Sequence, residues 1–123
     1  RKTGKNEMVP TDTLDNSLKK YGSPKIDVII MDIEGAEILA LEGMTETIER
    51  SPELVIFTEL YPKAIRRLGK SPIELLEKMR DLGFSISVID EDRKDIVTLS
   101  DFGSFISSFR DDESYKNLYA VKE

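Results

Sequence analysis

The sequence predicts an α/β fold built on a mixed sheet, and three observations carry that reading. Val28 to Ile33 holds five apolar residues in six positions, broken only by Asp32. So short and β-branched a run, apolar on both faces, reads as a strand buried on both sides, as parallel-sheet strands usually are. Second, a similar run at Glu53–Leu60 follows after a stretch of helix formers. Third, the alternation of strand and helix patterns continues through Phe84, which is the signature of an α/β sheet.

The elements follow in order. Arg1–Glu7 is polar and charged and reads as a loose arm, and Met8-Val9-Pro10 as a short edge strand ended by proline. From Thr13, Leu14, Leu18 and Tyr21 recur at helical spacing, with Asp12 or Thr13 as N-cap and Gly22 as C-terminal cap. Ser23-Pro24-Lys25 leads into the first strand, Ile26–Ile33. After Gly35 a helix carries Ile38, Leu41, Met44 and Ile48 on one face, with Gly43 as its weak point. Glu53–Leu60 is a second, central strand, and Lys63–Leu68 a short helix closed by Gly69.

Ser71-Pro72-Ile73-Glu74 is a capping box with proline at the first helical position, the strongest helix start in the chain. Leu75, Leu76, Met79 and Leu82 are its buried stripe and Gly83 its end. Phe84–Val88 alternates strictly, so this strand buries one face and belongs nearer an edge. Asp90–Asp95 is a charged turn and Ile96–Leu99 a short strand. Ser100 caps a helix bearing Phe102, Phe105, Ile106 and Phe109, a stripe read as core. Asp111-Asp112-Glu113 is a solvated link, and Asn117–Val121 a final strand that returns as antiparallel hairpin partner of the third.

Composition narrows the function classes. A chain of 123 residues fits one domain, and 39% apolar with 34% charged residues describes a soluble globular protein. The net charge of −6, with basic residues scattered, disfavours a nucleic-acid backbone as partner. No apolar stretch approaches the ~20 residues that span a bilayer, and no signal-peptide pattern is present. A cytoplasmic protein with no membrane contact is therefore expected. The chain opens Arg1-Lys2 and reads as a piece of something longer. No cysteine and no histidine occur, which removes thiolate and imidazole chemistry and leaves carboxylates, Lys, Tyr and Ser/Thr.

The carboxylates supply the candidate site. Asp32 and Glu34 fall at the carboxyl end of the first strand, the edge where open α/β sheets bind ligands. Glu59 ends the second strand in the same way, and adjacent strands lie about 4.8 Å apart, so the three can share one crevice. Read singly, Glu34 and Glu59 are equally exposed strand-end residues or helix caps, a reading that fits Asp32 less well because it is set inside the apolar run. Together they can hold a hard cation, act as general base on a hydroxyl, or accept hydrogen bonds from a ligand's ammonium or hydroxyl.

Several segments in order resemble the FkbM-type methyltransferases. They are Val9-Pro10-Thr11-Asp12-Thr13-Leu14-Asp15, Ile26-Asp27 leading to Met31-Asp32-Ile33-Glu34-Gly35-Ala36-Glu37, then Leu41-Glu42-Gly43, and Pro52 to Glu59. Met31 stands where that family usually has Lys. The resemblance implies a Rossmann-like class I methyltransferase sheet, of which residues 1–123 form a single domain supplying strands four to seven. It implies S-adenosylmethionine as cofactor and methyl transfer to oxygen on a small molecule or sugar. By the same analogy Asp32 sits beside the methionine end of the cofactor and the acceptor hydroxyl, with Ile33 and Gly35 alongside. Glu34 and Glu59 line the acceptor side, and with Asp32 form the catalytic set; no residue is assigned to a metal.

Such folds grip the cofactor with a glycine-rich turn, whereas the seven glycines here are isolated and no Gly-x-Gly occurs. The expectation is a C-terminal half of the domain, lacking the cofactor loop and inactive alone. Its first strand has a free flank, which predicts self-association of the isolated chain. Two alternatives stay open. One is a metal-dependent hydrolase or phosphotransferase using Asp32, Glu34 and Glu59, disfavoured by the absence of His and of a phosphate-cradling loop. The other is a non-catalytic half-domain that associates through its sheet edge or its Phe102/Phe105/Phe109 stripe.

Overall fold

In the computed structural model residues 11–111 and 113–123 are described. The expected arm at Arg1–Glu7 and the strand at Met8-Val9-Pro10 lie outside them. Thr13 caps α1 (Leu14–Lys19), its hydroxyl accepting from the Asn16 amide. The chain then reverses through Gly22 at φ +82°, with the Gly22 and Ser23 amides donating to the Lys19 and Leu18 carbonyls. Tyr21 falls beyond the helix and is exposed, so it does not extend the apolar stripe.

The strand β1 (Val28–Met31) leads through the Ile33–Ala36 turn into α2 (Glu37–Glu42). Gly43 breaks the helical run as its position suggested, and α3 (Thr45–Glu49) restarts it. A side chain at Gly43 would stand 2.9 Å from the Thr13 Cβ, so α1 can cross here only over a glycine. Asp15 of α1 ties the crossing: its carboxylate accepts from the Glu46 and Thr47 amides and the Thr47 hydroxyl. Burial opposes its charge, but these bonds and the Arg50 cation outweigh it and hold the carboxyl below its usual range.

β2 (Val55–Leu60) follows, then α4 (Pro62–Arg67) and α5 (Pro72–Asp81), the latter with both arms of the Ser71/Glu74 capping box in place. β3 (Phe84–Asp90) turns into β4 (Asp95–Thr98), α6 (Phe102–Ser107) packs back, and β5 (Lys116–Lys122) closes the sheet. Asp101, not Ser100, caps α6, because its carboxylate accepts from both the amide and the hydroxyl of Ser104.

The result is an α/β fold on a five-stranded mixed sheet in the order β1-β2-β5-β3-β4. β1 and β2 are parallel, while β5 runs antiparallel to both β2 and β3. The last strand is thus an antiparallel partner of β3, but inserted between β2 and β3; the true hairpin is β3–β4. One sheet face carries the core: Met31, Ile56, Leu60, Ile86, Leu118 and Ala120 cluster with Ile38, Leu41, Met44, Ile48, Ile65, Leu75, Leu76 and Met79 from the helices. The Phe102/Phe105/Ile106/Phe109 stripe packs half-buried against that cluster.

The opposite face is open, which corrects the expectation for β1. Val28 is 52% and Ile30 76% exposed. β1 is an edge strand, and no described element covers Val28, Ile30, Val55, Phe57, Tyr119 and Val121, none of which joins the core cluster. The run is apolar on both faces, but only Ile29 and Met31 reach the packed side.

Candidate functional site

The site begins where β1 ends. Glu34 (φ +50°) and Gly35 (φ +99°) are the two central residues of the turn Ile33–Ala36, which the Ala36 amide closes on the Ile33 carbonyl at 3.3 Å. Two successive left-handed residues make a mirror-image turn that glycine tolerates and glutamate adopts at a cost. The turn is braced from inside. Glu37, 2% exposed, accepts the Gly35 amide proton through Oε1 at 3.1 Å. Burial raises the Glu37 carboxyl above its ordinary range, against the lowering effect of backbone N–H groups of Glu37, Ile33 and Gly35, and the Asp32 charge raises it further.

Register then sets the carboxylates side by side. Met31 pairs with Thr58, so Asp32, one residue beyond, is level with Glu59, and Glu59 pairs with Asn117 of β5. Ile89 of β3 pairs with the same Asn117. Asp32, Glu59, Asn117 and Ile89 therefore form a row across the carboxyl rim of β1 and β2, on the open face. A cavity of about 430 Å³ lies over this row, floored by Ile30 and Phe57 and walled by Asp32, Glu59, Glu91 and Asn117. Burial pushes the Glu59 carboxyl up, and the charges of Asp32, Glu37 and Glu34 push it further.

Of the residues singled out in the sequence, Asp32 and Glu59 share the cavity. Glu34, Ile33 and Gly35 lie in the turn beyond its lining, with Ile33 43% exposed, and Glu34 reaches the pair only through its charge on Glu59. Met31 turns the other way, into the core. Three contributors were not singled out: Glu37, Glu91 and Asn117. For Asn117 the signal was present, since the first residues of an antiparallel last strand must emerge at the rim where parallel strands end. Glu91 was read as part of a charged turn, and its side chain accepts the Asn117 amide at 3.0 Å.

Glu113 is solvent-exposed, as its reading in a solvated link expects, but it is not without partners. Its carboxylate accepts from the Tyr61 hydroxyl and pairs with the Lys63 ammonium, and the Tyr61 and Tyr115 rings meet edge-on at 6.4 Å. The segment before β5 is thereby fastened to the start of α4. Among the described residues no group of three or more carboxylates converges to hold a metal ion, and no helix is long and apolar enough to cross a membrane.

The cavity and its acid pair lie at the carboxyl rim of the sheet, the edge at which open α/β folds bind ligands. The particular family is given by the chain itself: residues 1–86 match the Methyltransferase FkbM domain, and the chain belongs to that family of methyltransferases. The matched region holds β1, β2 and the whole Asp32–Glu37 turn, and stops within β3. No curated protein and no solved structure matches the chain.

Proposed function

We propose that this chain forms the acceptor side of an S-adenosylmethionine-dependent O-methyltransferase that acts on a hydroxyl of a small molecule or sugar. The observation that carries the reading is the level placement of Asp32 and Glu59 in one cavity over an apolar floor. A carboxylate beside apolar walls suits the cationic end of the cofactor, whereas the sequence has no Gly-x-Gly turn for the rest of it. The glycine-rich loop is therefore assigned to polypeptide beyond these residues, making this the C-terminal part of the catalytic domain.

Asp32, with the Ile33 and Gly35 backbone beside it, would hold the methionine end. Gly35 contributes the shape of the turn, because its amide is already committed to Glu37. When bound, the cofactor supplies an electrophilic methyl group on sulfur. The chain's own residues do the rest. By holding the methionine end, Asp32 would set the line along which the methyl meets the acceptor oxygen, since in-line approach is the dominant requirement of this transfer. Glu59 takes the hydroxyl proton; burial and neighbouring negative charge make its carboxylate a stronger base than an ordinary glutamate. Glu34 adds negative potential from the turn.

The test is transfer of labelled methyl from S-adenosylmethionine to a panel of hydroxyl acceptors by the complete polypeptide, with and without Mg²⁺ or Mn²⁺. Label in an ether, insensitive to metal, is the expected result. Release of phosphate or cleaved product that depends on tight metal binding would instead select the hydrolase reading.

A further inference from the structure

Asn117 lies outside the region that matches the family domain and outside the acid pair, yet it shares their row. Its backbone pairs directly with Glu59 across the β2–β5 ladder. Opposed residues of antiparallel strands have Cα atoms about 4.5–5.5 Å apart and side chains on the same face. The Asn117 amide therefore stands next to the Glu59 carboxylate over the cavity, whose wall it helps to form.

Its orientation is fixed by chemistry. Glu91 is the partner of the Asn117 side chain, at 3.0 Å. An ionised carboxylate only accepts, so the amide nitrogen must face Glu91 and the carbonyl oxygen must point away from it. One N–H is spent on Glu91; among the described residues the Oδ1 acceptor and the second N–H have no further hydrogen-bond partner. This is a directed donor–acceptor pair on a rigid strand, one ladder position from the residue proposed to take the acceptor proton.

We propose that Asn117, held by Glu91, is the specificity-determining residue that binds a second hydroxyl of the acceptor, and that the acceptor is accordingly a vicinal diol rather than an isolated alcohol. The proposal rests on the methyltransferase reading above. Glu59 and Asn117 are directly opposed in the ladder, a spacing that suits groups carried on neighbouring atoms of one small scaffold. A hydroxyl suits either half of the amide, since it can donate to Oδ1 or accept from the remaining N–H. Asn117 touches no reacting atom in this scheme; it selects the hydroxyl presented to Glu59.

The test uses the complete polypeptide with a panel of methyl pentosides and hexosides, each compared with the deoxy counterpart that lacks the neighbouring hydroxyl. For an accepted glycoside, loss of one hydrogen-bonded hydroxyl is expected to raise KM about tenfold in the wild type. In Asn117→Ala the parent's KM rises by a similar factor, kcat stays within about twofold, and the preference over the deoxy compound disappears. Glu91→Ala, a change in an exposed turn that leaves the sheet intact, shows the same loss in weaker form, and Glu91→Gln, whose side-chain oxygen still accepts from Asn117, restores it. An Asn117→Ala enzyme that keeps the full preference overturns the proposal while leaving the methyltransferase reading standing. A wild type that methylates deoxy compounds as well as their parents overturns it too. No transfer to any member of the panel removes both the sugar acceptor and this role.

Discussion

Gly35 rests against the backbone of Ala64, where a Cβ would stand 2.5 Å from the carbonyl oxygen and 2.6 Å from the carbonyl carbon. The Asp-x-Glu-Gly turn is thus seated on α4, and the rim holding Asp32 is positioned by that seat. With φ at +99° as well, Gly35→Ala is expected to cost about 2–4 kcal/mol through strain and displacement of α4. Thermal or denaturant unfolding measures it; a loss under about 1 kcal/mol would mean that the turn has slack.

Glu37 gives a pH signature of stability. Its folded-state carboxyl is raised above the ordinary value of 4.5, chiefly by burial. Between those two values the native state binds more protons than the unfolded chain, so stability falls as pH rises through that window. Glu37→Gln keeps an oxygen to accept the Gly35 amide without burying a charge. It is expected to match or exceed the wild type at pH 7 and to lack this decline. Glu37→Ala leaves a buried amide unsatisfied and should cost about 1–3 kcal/mol. Denaturant titrations from pH 4 to 8 separate the variants.

Glu59 should govern the acid limb of activity. Burial and three neighbouring carboxylates raise its value above 4.5, so a base at this position loses its charge at higher pH than an ordinary glutamate would. Turnover should fall as pH drops through that raised value, and Glu59→Gln should lower turnover about 10²-fold or more and abolish the limb. A pH–rate profile for Glu59→Gln that matches the wild type would deprive Glu59 of the role.

The open face carries an expectation for the isolated chain. Among the described residues β1 has no partner on its outer edge, and it carries no charged residue, with Ile30 76% exposed beside that edge. Edges of that kind pair with further strands, so the 123-residue chain alone should self-associate in sedimentation. Ile30→Lys, on the uncovered face, should shift it toward monomer without loss of folding. A wild type that stays monomeric at high concentration would contradict this.

Much of this arrangement is legible in the sequence, and the reason is local. The Ser71–Glu74 capping box, the Gly43 break and the β3–β4 turn are written in residues adjacent in the chain. What escaped was set by partners distant in sequence. Val28 and Ile30 have the composition of buried residues, and only the sheet order shows that no described element covers them. Insertion of β5 between β2 and β3 depends on long-range pairing, and it is what brings Asn117 beside Glu59. The acid pair itself was visible because Asp32 interrupts an apolar run; Glu37, on a helix full of ordinary helix formers, gave no such contrast.

The central claim is that the Asp32 carboxylate serves the reaction and not the fold. Comparing Asp32→Asn with wild type in the complete polypeptide, for kcat and for melting temperature on the same preparations, tests it most directly. Turnover reduced about 10²-fold or more with stability within about 0.5 kcal/mol is the expected result. Parallel loss of both, or turnover left intact, would contradict it.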